Sequence, residues 1–189
     1  MAGIVRFADC PPVPWKNGAG TTRELWARRD AAGEALIRIS IAEIRGKQGF
    51  SLFPGIDRVI LQLDGPAMVL TIDGTAHRLT PLAPLAFAGE ADVFCDADET
   101  EAAHDLNLMC RRGSYAPAME RTATLPGQPQ YFGGDGAVTA LLALVPCTLV
   151  LPLAARLQPL DLIVADGPVM LRTEGAGDFI RLGAEGDSA

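Results

Sequence analysis

Residues 64–74 read DGPAMVLTIDG, and residues 166–175 read DGPVMLRTEG. The two stretches align from Asp64 and Asp166. Asp64-Gly65 and Asp73-Gly74 are turn dipeptides of the kind that close β-hairpins. A repeat on this scale implies that two halves of the chain use the same hairpin in equivalent places. Two similar antiparallel β units in one chain point to a duplicated barrel.

The flanking sequence supports an all-β chain. LIRISIAE (36–43) alternates, with Ile37, Ile39 and Ile41 on one face and Leu36, Arg38, Ser40 and Ala42 on the other. DRVILQLD (57–64) sets Val59, Leu61 and Leu63 against Arg58, Ile60, Gln62 and Asp64. DLNLMCRRG (105–113) sets Leu106, Leu108 and Cys110 against Asp105, Asn107, Met109 and Arg111. No long amphipathic helix is evident. The Pro- and Gly-containing region 116–136 reads as a connection with room for a short helix, and 184–189 as a loose tail.

Composition excludes several functions. The 189 residues carry 16 basic and 23 acidic side chains, a net charge of −7, which argues against a nucleic-acid footprint. Lys16 and Lys47 are the two lysines, so the basic charge is nearly all arginine, suited to bidentate capture of carboxylates. The 20 glycines and 14 prolines suit short strands joined by tight turns. The start, MAGIVRFADCPPVPW, has no secretory pattern. Cys10, Cys95, Cys110 and Cys147 lie far apart without CxxC spacing. Both features lead to the expectation of a cytoplasmic protein with reduced thiols. Residues 137–155 are uncharged, but Pro146 and Pro152 interrupt them. Two buried strands about a turn at Pro146-Cys147 are expected there, not a membrane span.

PWKNGAGTTREL (14–25) concentrates polar and small residues in a greasy chain. A Walker A loop places its Lys after the last Gly and opens a helix. Here Lys16 precedes Gly18, and a strand-like TTRELWA follows. A dinucleotide fingerprint needs a third glycine and a βαβ context, and has neither. His77 and His104, the two histidines, form no HxH pair. His77 is expected to be an exposed polar residue and His104 a solvated loop residue, so no metal site or cofactor is expected. No GxSxG elbow occurs, and nothing pairs Cys95 or Cys110 with a histidine.

Four stretches in order, PWKNGAGTTREL, IRISIAEI, FSLFPGIDR and DLNLMCRRG, make the chain resemble the HutD/Ves family, associated with bacterial histidine utilisation. The third consecutive glycine of the first motif is Ala19 here. Ile37 replaces an aromatic in the second, and Leu106 replaces the Phe of the usual DFN. The resemblance implies a bicupin, two cupin-like (RmlC-like) β-barrels or jelly rolls with few short helices and without the cupin metal motif. The expected layout is a first barrel over 1–115, a connection at 116–136, and a second unit at 137–183. Strands from the N-terminal part would complete the second unit, ahead of the tail at 184–189. The resemblance further implies a non-catalytic role: moderating histidine degradation by sensing a pathway intermediate, with N-formylglutamate the favoured ligand.

Chemically, the same residues can form one anion pocket. Arg38 and Ser40 share a strand face, and Arg58 shares a face with Gln62. A barrel interior receives every second side chain, so both arginines can point inward. A buried arginine costs several kcal/mol to desolvate unless an anion answers it. Arg58 can equally pair with Asp57 or Glu24. PWKNGAGTTREL would form the lip, with Lys16 adding charge, Asn17 and Thr21 hydrogen bonds, and Trp15 an apolar wall. Ordinary core packing is the alternative for Trp15. Asn107 can read an amide, or simply satisfy neighbouring backbone. A small carboxylate is therefore the expected partner, with no nucleic acid, no membrane, and a homodimer possible. The competing readings are a cupin-fold isomerase or hydrolase using Glu24, Asp57 or Asp105 as general base, and a structural protein whose arginines make internal ion pairs.

Overall fold

A computed structural model describes residues 2–15, 18 and 20–186. It contains nineteen strands and one short 3₁₀ turn, Phe7–Asp9. In chain order the strands are β1 (Ala2–Val5), β2 (Val13–Pro14), β3 (Gly20–Arg29), β4 (Ala35–Ile44), β5 (Lys47–Gly49), β6 (Ile56–Asp64) and β7 (Val69–Ile72). There follow β8 (Thr75–Arg78), β9 (Leu85–Ala88), β10 (Val93–Asp96), β11 (Ala103–Arg111), β12 (Tyr115–Thr124) and β13 (Gln130–Phe132). The last are β14 (Val138–Ala143), β15 (Cys147–Leu151), β16 (Ala155–Leu157), β17 (Leu162–Asp166), β18 (Val169–Thr173) and β19 (Gly177–Gly186). No helix among the described residues is long and apolar enough to cross a membrane.

Two compact units result, one of residues 11–114 and one of residues 1–10 with 115–189. The first joins a six-stranded sheet, β2-β3-β4-β11-β6-β9, to a four-stranded sheet, β5-β10-β7-β8. The alternation of its three long strands sets their faces. Ala42, Ile44, Ile60 and Ala103 turn toward Met68, Leu70, Val93 and Cys95 of the smaller sheet side, forming one apolar cluster. Ile37, Ile39, Ile41, Val59, Leu61, Leu106 and Leu108 occupy the opposite face and are also buried. Each such side chain contributes roughly 1.5–3 kcal/mol when fully removed from water.

The second unit pairs a five-stranded sheet, β1-β17-β14-β19-β12, with β13-β18-β15-β16. Its cluster is apolar throughout: Phe132, Leu141, Leu149, Leu157, Ile163, Leu171 and Phe179 among others. The uncharged run at 137–155 becomes β14 and β15, with Pro146 just before β15. The N-terminal strand β1 pairs with β17, and Arg6 fastens the next residues to Asp161. The Arg6 guanidinium donates to Asp161 Oδ2 at 2.6 Å. Asp161 also accepts the backbone N–H of Phe7 at 3.0 Å and of Gln158 at 2.9 Å.

Several expectations need correction. Region 116–136 is not a helical connection: β12 fills its first half and pairs with β19 along its whole length, while β13 adds a second strand. Residues 184–186 end β19 and are no loose tail, and 187–189 lie outside the described residues. The repeat is real, but the shared feature is a corner. At Asp64-Gly65 and at Asp166-Gly167 the chain leaves a large sheet and enters a small one, with φ of 86° and 87° at the two glycines. Asp73-Gly74 does close a hairpin, between β7 and β8. After β18 the chain instead returns to the large sheet as β19. His104 is the second residue of β11, not a loop residue, and its Nδ1 lies 2.6 Å from Asp64 Oδ1.

Candidate functional site

A cavity of about 480 Å³ opens into the first unit, within the usual range for small-molecule sites. Three neighbouring strands build it. On the central strand β11, Asp105, Asn107 and Met109 face inward. Met109 stands opposite Arg38 of β4 and Arg58 of β6, and Asn107 stands opposite Ser40 and Ile60. The alternation therefore delivers two arginines, an amide, a carboxyl and a hydroxyl to one surface. Trp15, Thr22, Phe50 and Phe53 are among the other lining residues.

Arg58 is 4% exposed. Its Nη2 donates to Asn107 Oδ1 at 2.7 Å, and its Nε is buried without a partner. Aromatic rings surround the guanidinium: Phe87 at 4.8 Å, Phe50 at 5.3 Å and Phe53 at 5.6 Å from centroid to Cζ. Such contacts stabilise a cation but do not neutralise it. Burial lowers the Arg58 pKa to about 10, Asp105 works against that shift, and Arg38 adds to it. Arg58 stays charged at neutral pH. Among the described residues no carboxylate touches it.

Asp105 lies beneath. It is fully buried; its Oδ1 accepts from Asn107 Nδ2, and its Oδ2 has no partner. Burial pushes its pKa up to about 7, against the pull of Arg58 and the Asn107 hydrogen bond. Asn107 thus links cation and carboxyl through its two ends. Its buried alternative, satisfying backbone, is not what the structure shows.

Arg38 is differently placed. Its Nε donates to Glu24 Oε2 at 2.9 Å, and Glu24 also accepts from Arg29 at 2.8 Å. Burial tends to raise the Glu24 pKa, but the hydrogen bonds from Arg38 and Arg29 outweigh it and hold the carboxyl below its usual range. Neither pairing considered for Arg58 occurs. Glu24 serves Arg38, and Asp57 accepts from Arg112 Nε at 2.8 Å.

At the lip, Trp15 Nε1 donates to Thr22 Oγ1 at 2.7 Å, and the indole meets Phe50 edge to face at 6.5 Å. Gly20 makes this possible: a Cβ there would lie 2.4 Å from the Glu43 carbonyl and 3.3 Å from the indole. Of the expected site residues, Arg58, Arg38, Trp15, Ser40 and Asn107 come together in the cavity. Thr21 does not; β3 turns Thr22 inward in its place. Lys16 and Asn17 lie outside the described residues. The aromatic collar went unread, although Phe50 and Phe53 sit in the FSLFPGIDR stretch that carries Arg58. Gln62 faces inward but is occupied at the corner, where its Nε2 donates to the Pro66 carbonyl at 2.6 Å. Among the described residues no three His, Cys, Asp or Glu side chains gather as metal donors.

The HutD family model matches residues 7–180. The chain belongs to the HutD family. It is 36% identical over 194 residues to an uncharacterised 21.2 kDa protein of the hutC 3′ region in Pseudomonas putida, an alignment covering 97% of this chain and 92% of that one. Against protein Ves of Citrobacter koseri it is 41% identical over 146 residues, 74% of this chain and 73% of Ves. The structure of HutD from Pseudomonas fluorescens SBW25, solved in a formate condition, matches with a TM-score of 0.81 at 26% identity over 100% of both chains. Nickel-bound pirin YhhW of Escherichia coli shares the architecture, with a TM-score of 0.68 at 10% identity over 100% of both chains. The fold is a bicupin, and the HutD family is linked to the histidine-utilisation locus.

Proposed function

We propose that the chain binds a small carboxylate in the cavity of residues 11–114 and acts as a sensor that limits histidine utilisation. The observation that carries this reading is Arg58: a buried guanidinium facing a cavity with an amide oxygen as its hydrogen-bond partner and no carboxylate in contact among the described residues. Leaving it so is costly, and an anionic ligand offsets that cost. Arg38 gives a second, half-engaged cation in the same row of the sheet. A ligand with two carboxylates suits that spacing of roles, and N-formylglutamate is the favoured one. Two charge-assisted contacts of roughly 1.5–3 kcal/mol each, with a few neutral bonds, reach about micromolar affinity. The hutC-region relative is in keeping with this reading.

A second reading is favoured by one observation. Of the three carboxylates considered as general bases, Glu24 and Asp57 are held by arginines, whereas Asp105 has a pKa near neutrality and a bare oxygen. A proton-transfer enzyme would use Asp105.

Crystals soaked separately with N-formylglutamate, urocanate and glutamate test the first reading. A ligand carboxylate on Arg58 supports it. Saturating ligand that leaves Arg58 untouched rejects it.

A further inference from the structure

The cavity holds a cation that two anions can claim. Arg58 is linked through Asn107 to Asp105 on the floor, and an incoming carboxylate approaches the same guanidinium. With Asp105 ionised, Arg58 and Asp105 cancel. A bound carboxylate then adds an uncompensated negative charge beside a carboxyl whose second oxygen is buried without a hydrogen bond. Low dielectric makes that repulsion large, and the inexpensive remedy is a proton.

The neighbours leave one place for this proton. The titratable side chains lining the cavity, among the described residues, are Arg38, Arg58 and Asp105. Facing Asp105 are Arg58 from β6 and, from β10, Cys95. Burial and then Asp105 itself push the Cys95 thiol up to about 12, so it stays neutral. From β4, Arg38 acts on Arg58 and is itself paired with the ionised Glu24 of β3. Across from Asp105 on the neighbouring strands stand Ala42 and the uncharged Gln62, and the core cluster of this unit, with Met68, Leu70 and Ile60, is apolar.

We propose that ligand binding in this cavity requires Asp105 in its protonated form, so that above neutrality each bound ligand, with one carboxylate or two, brings one proton, which resides on Asp105. The inference rests on the carboxylate-binding reading above and adds its regulation: ligand occupancy reports pH as well as concentration. Asp105 acts here through Arg58 and Asn107, as a group that sets the charge of the site.

Calorimetric titration of the full chain with formate and with N-formylglutamate, at pH 8 in buffers of different ionisation heat, tests it. Close to one proton should be taken up per ligand. Affinity should fall about tenfold per pH unit above neutrality, as linkage of a single proton requires, and level off below pH 6. Asp105→Asn, a fixed neutral mimic, should bind with no proton uptake and with the same affinity at pH 6 and pH 8. Binding without proton uptake by the wild type overturns the proposal, as does undiminished uptake by D105N. The wild-type buffer series decides the question even if D105N does not fold. Failure of both probes to bind at pH 6 overturns the carboxylate reading itself, and this inference with it.

Discussion

Arg38 and Arg58 stand in one row of the sheet, on either side of Met109, yet their surroundings are opposite. Arg38 is a quarter exposed and tied to Glu24. Arg58 is buried in a collar of three phenylalanines with an amide for company. Equal charge and equal height in the barrel thus give one arginine paired with a carboxylate and one whose hydrogen-bond partner is an amide oxygen.

Arg58→Lys should keep the charge and lose the planar fork. Affinity for N-formylglutamate should drop about ten- to a hundredfold, the size of one charge-assisted contact, with little change in Tm. Titration of the variant beside Arg38→Lys measures it. The Arg38 change should cost less for formate than for a dicarboxylate. Unchanged binding by Arg58→Lys would make Arg58 a structural residue.

Stability should decline with rising pH through the range where Asp105 ionises. Its folded pKa, about 7, exceeds its unfolded value of 3.8, so the folded state holds the extra proton between those values. The unfolding free energy therefore falls as pH rises from about 4 and levels off above about 7, by roughly 4 kcal/mol at most for this group. Thermal melts of ligand-free protein from pH 5 to pH 8 should show the decline, and Asp105→Asn should flatten it.

Asp161 should act in the opposite sense. Burial works to raise its pKa, but the hydrogen bonds from Gln158, Arg6 and Phe7 win, and the carboxyl sits below 3.8. Its contribution is present above about pH 4 and disappears in stronger acid. Asp161→Asn should cost roughly 1–3 kcal/mol at neutral pH. Hydrogen exchange should accelerate first in β1, whose following residues lose their fastening. Slow exchange there would contradict the role given to this cluster.

Gly20→Ala places a methyl against the Glu43 carbonyl and the Trp15 ring. The carbonyl is backbone and gives little, so the lip must shift. Reduced affinity and an altered Trp15 fluorescence spectrum are expected together. Binding and fluorescence like those of the wild type would show that the lip tolerates the methyl.

Much of this arrangement was legible in the sequence, for a definable reason. Period-two alternation fixes a side chain's face without knowledge of its partners, so Arg38, Ser40, Arg58, Asn107 and Asp105 were assigned inward-compatible faces from their own strands. Pairing depends on register across strands, and no local signal encodes it. From its own strand Arg58 can reach Asp57 or Glu24, whereas register sets Glu24 opposite Ser40, within reach of Arg38, and Asn107 bridges Arg58 and Asp105. Alternation within β3 does not choose between Thr21 and Thr22; its pairing with β4 turns Thr22 inward. The corner at Asp64-Gly65 was mistaken for a hairpin because the same turn pair serves both purposes. Four residues of β1 are too short a signal to announce a strand, and their partners lie far along the chain.

That last pairing affects how the molecule is made. Arg6 and Asp161 are 155 positions apart, so β1 and the residues that follow it remain without their sheet until β17 has been synthesised. Among the described residues, the side chains that line the cavity all fall within 14–109. The strands that build the cavity can therefore all be present on a nascent chain while β1 is still an unpaired edge exposed to chaperones and to other unfinished copies.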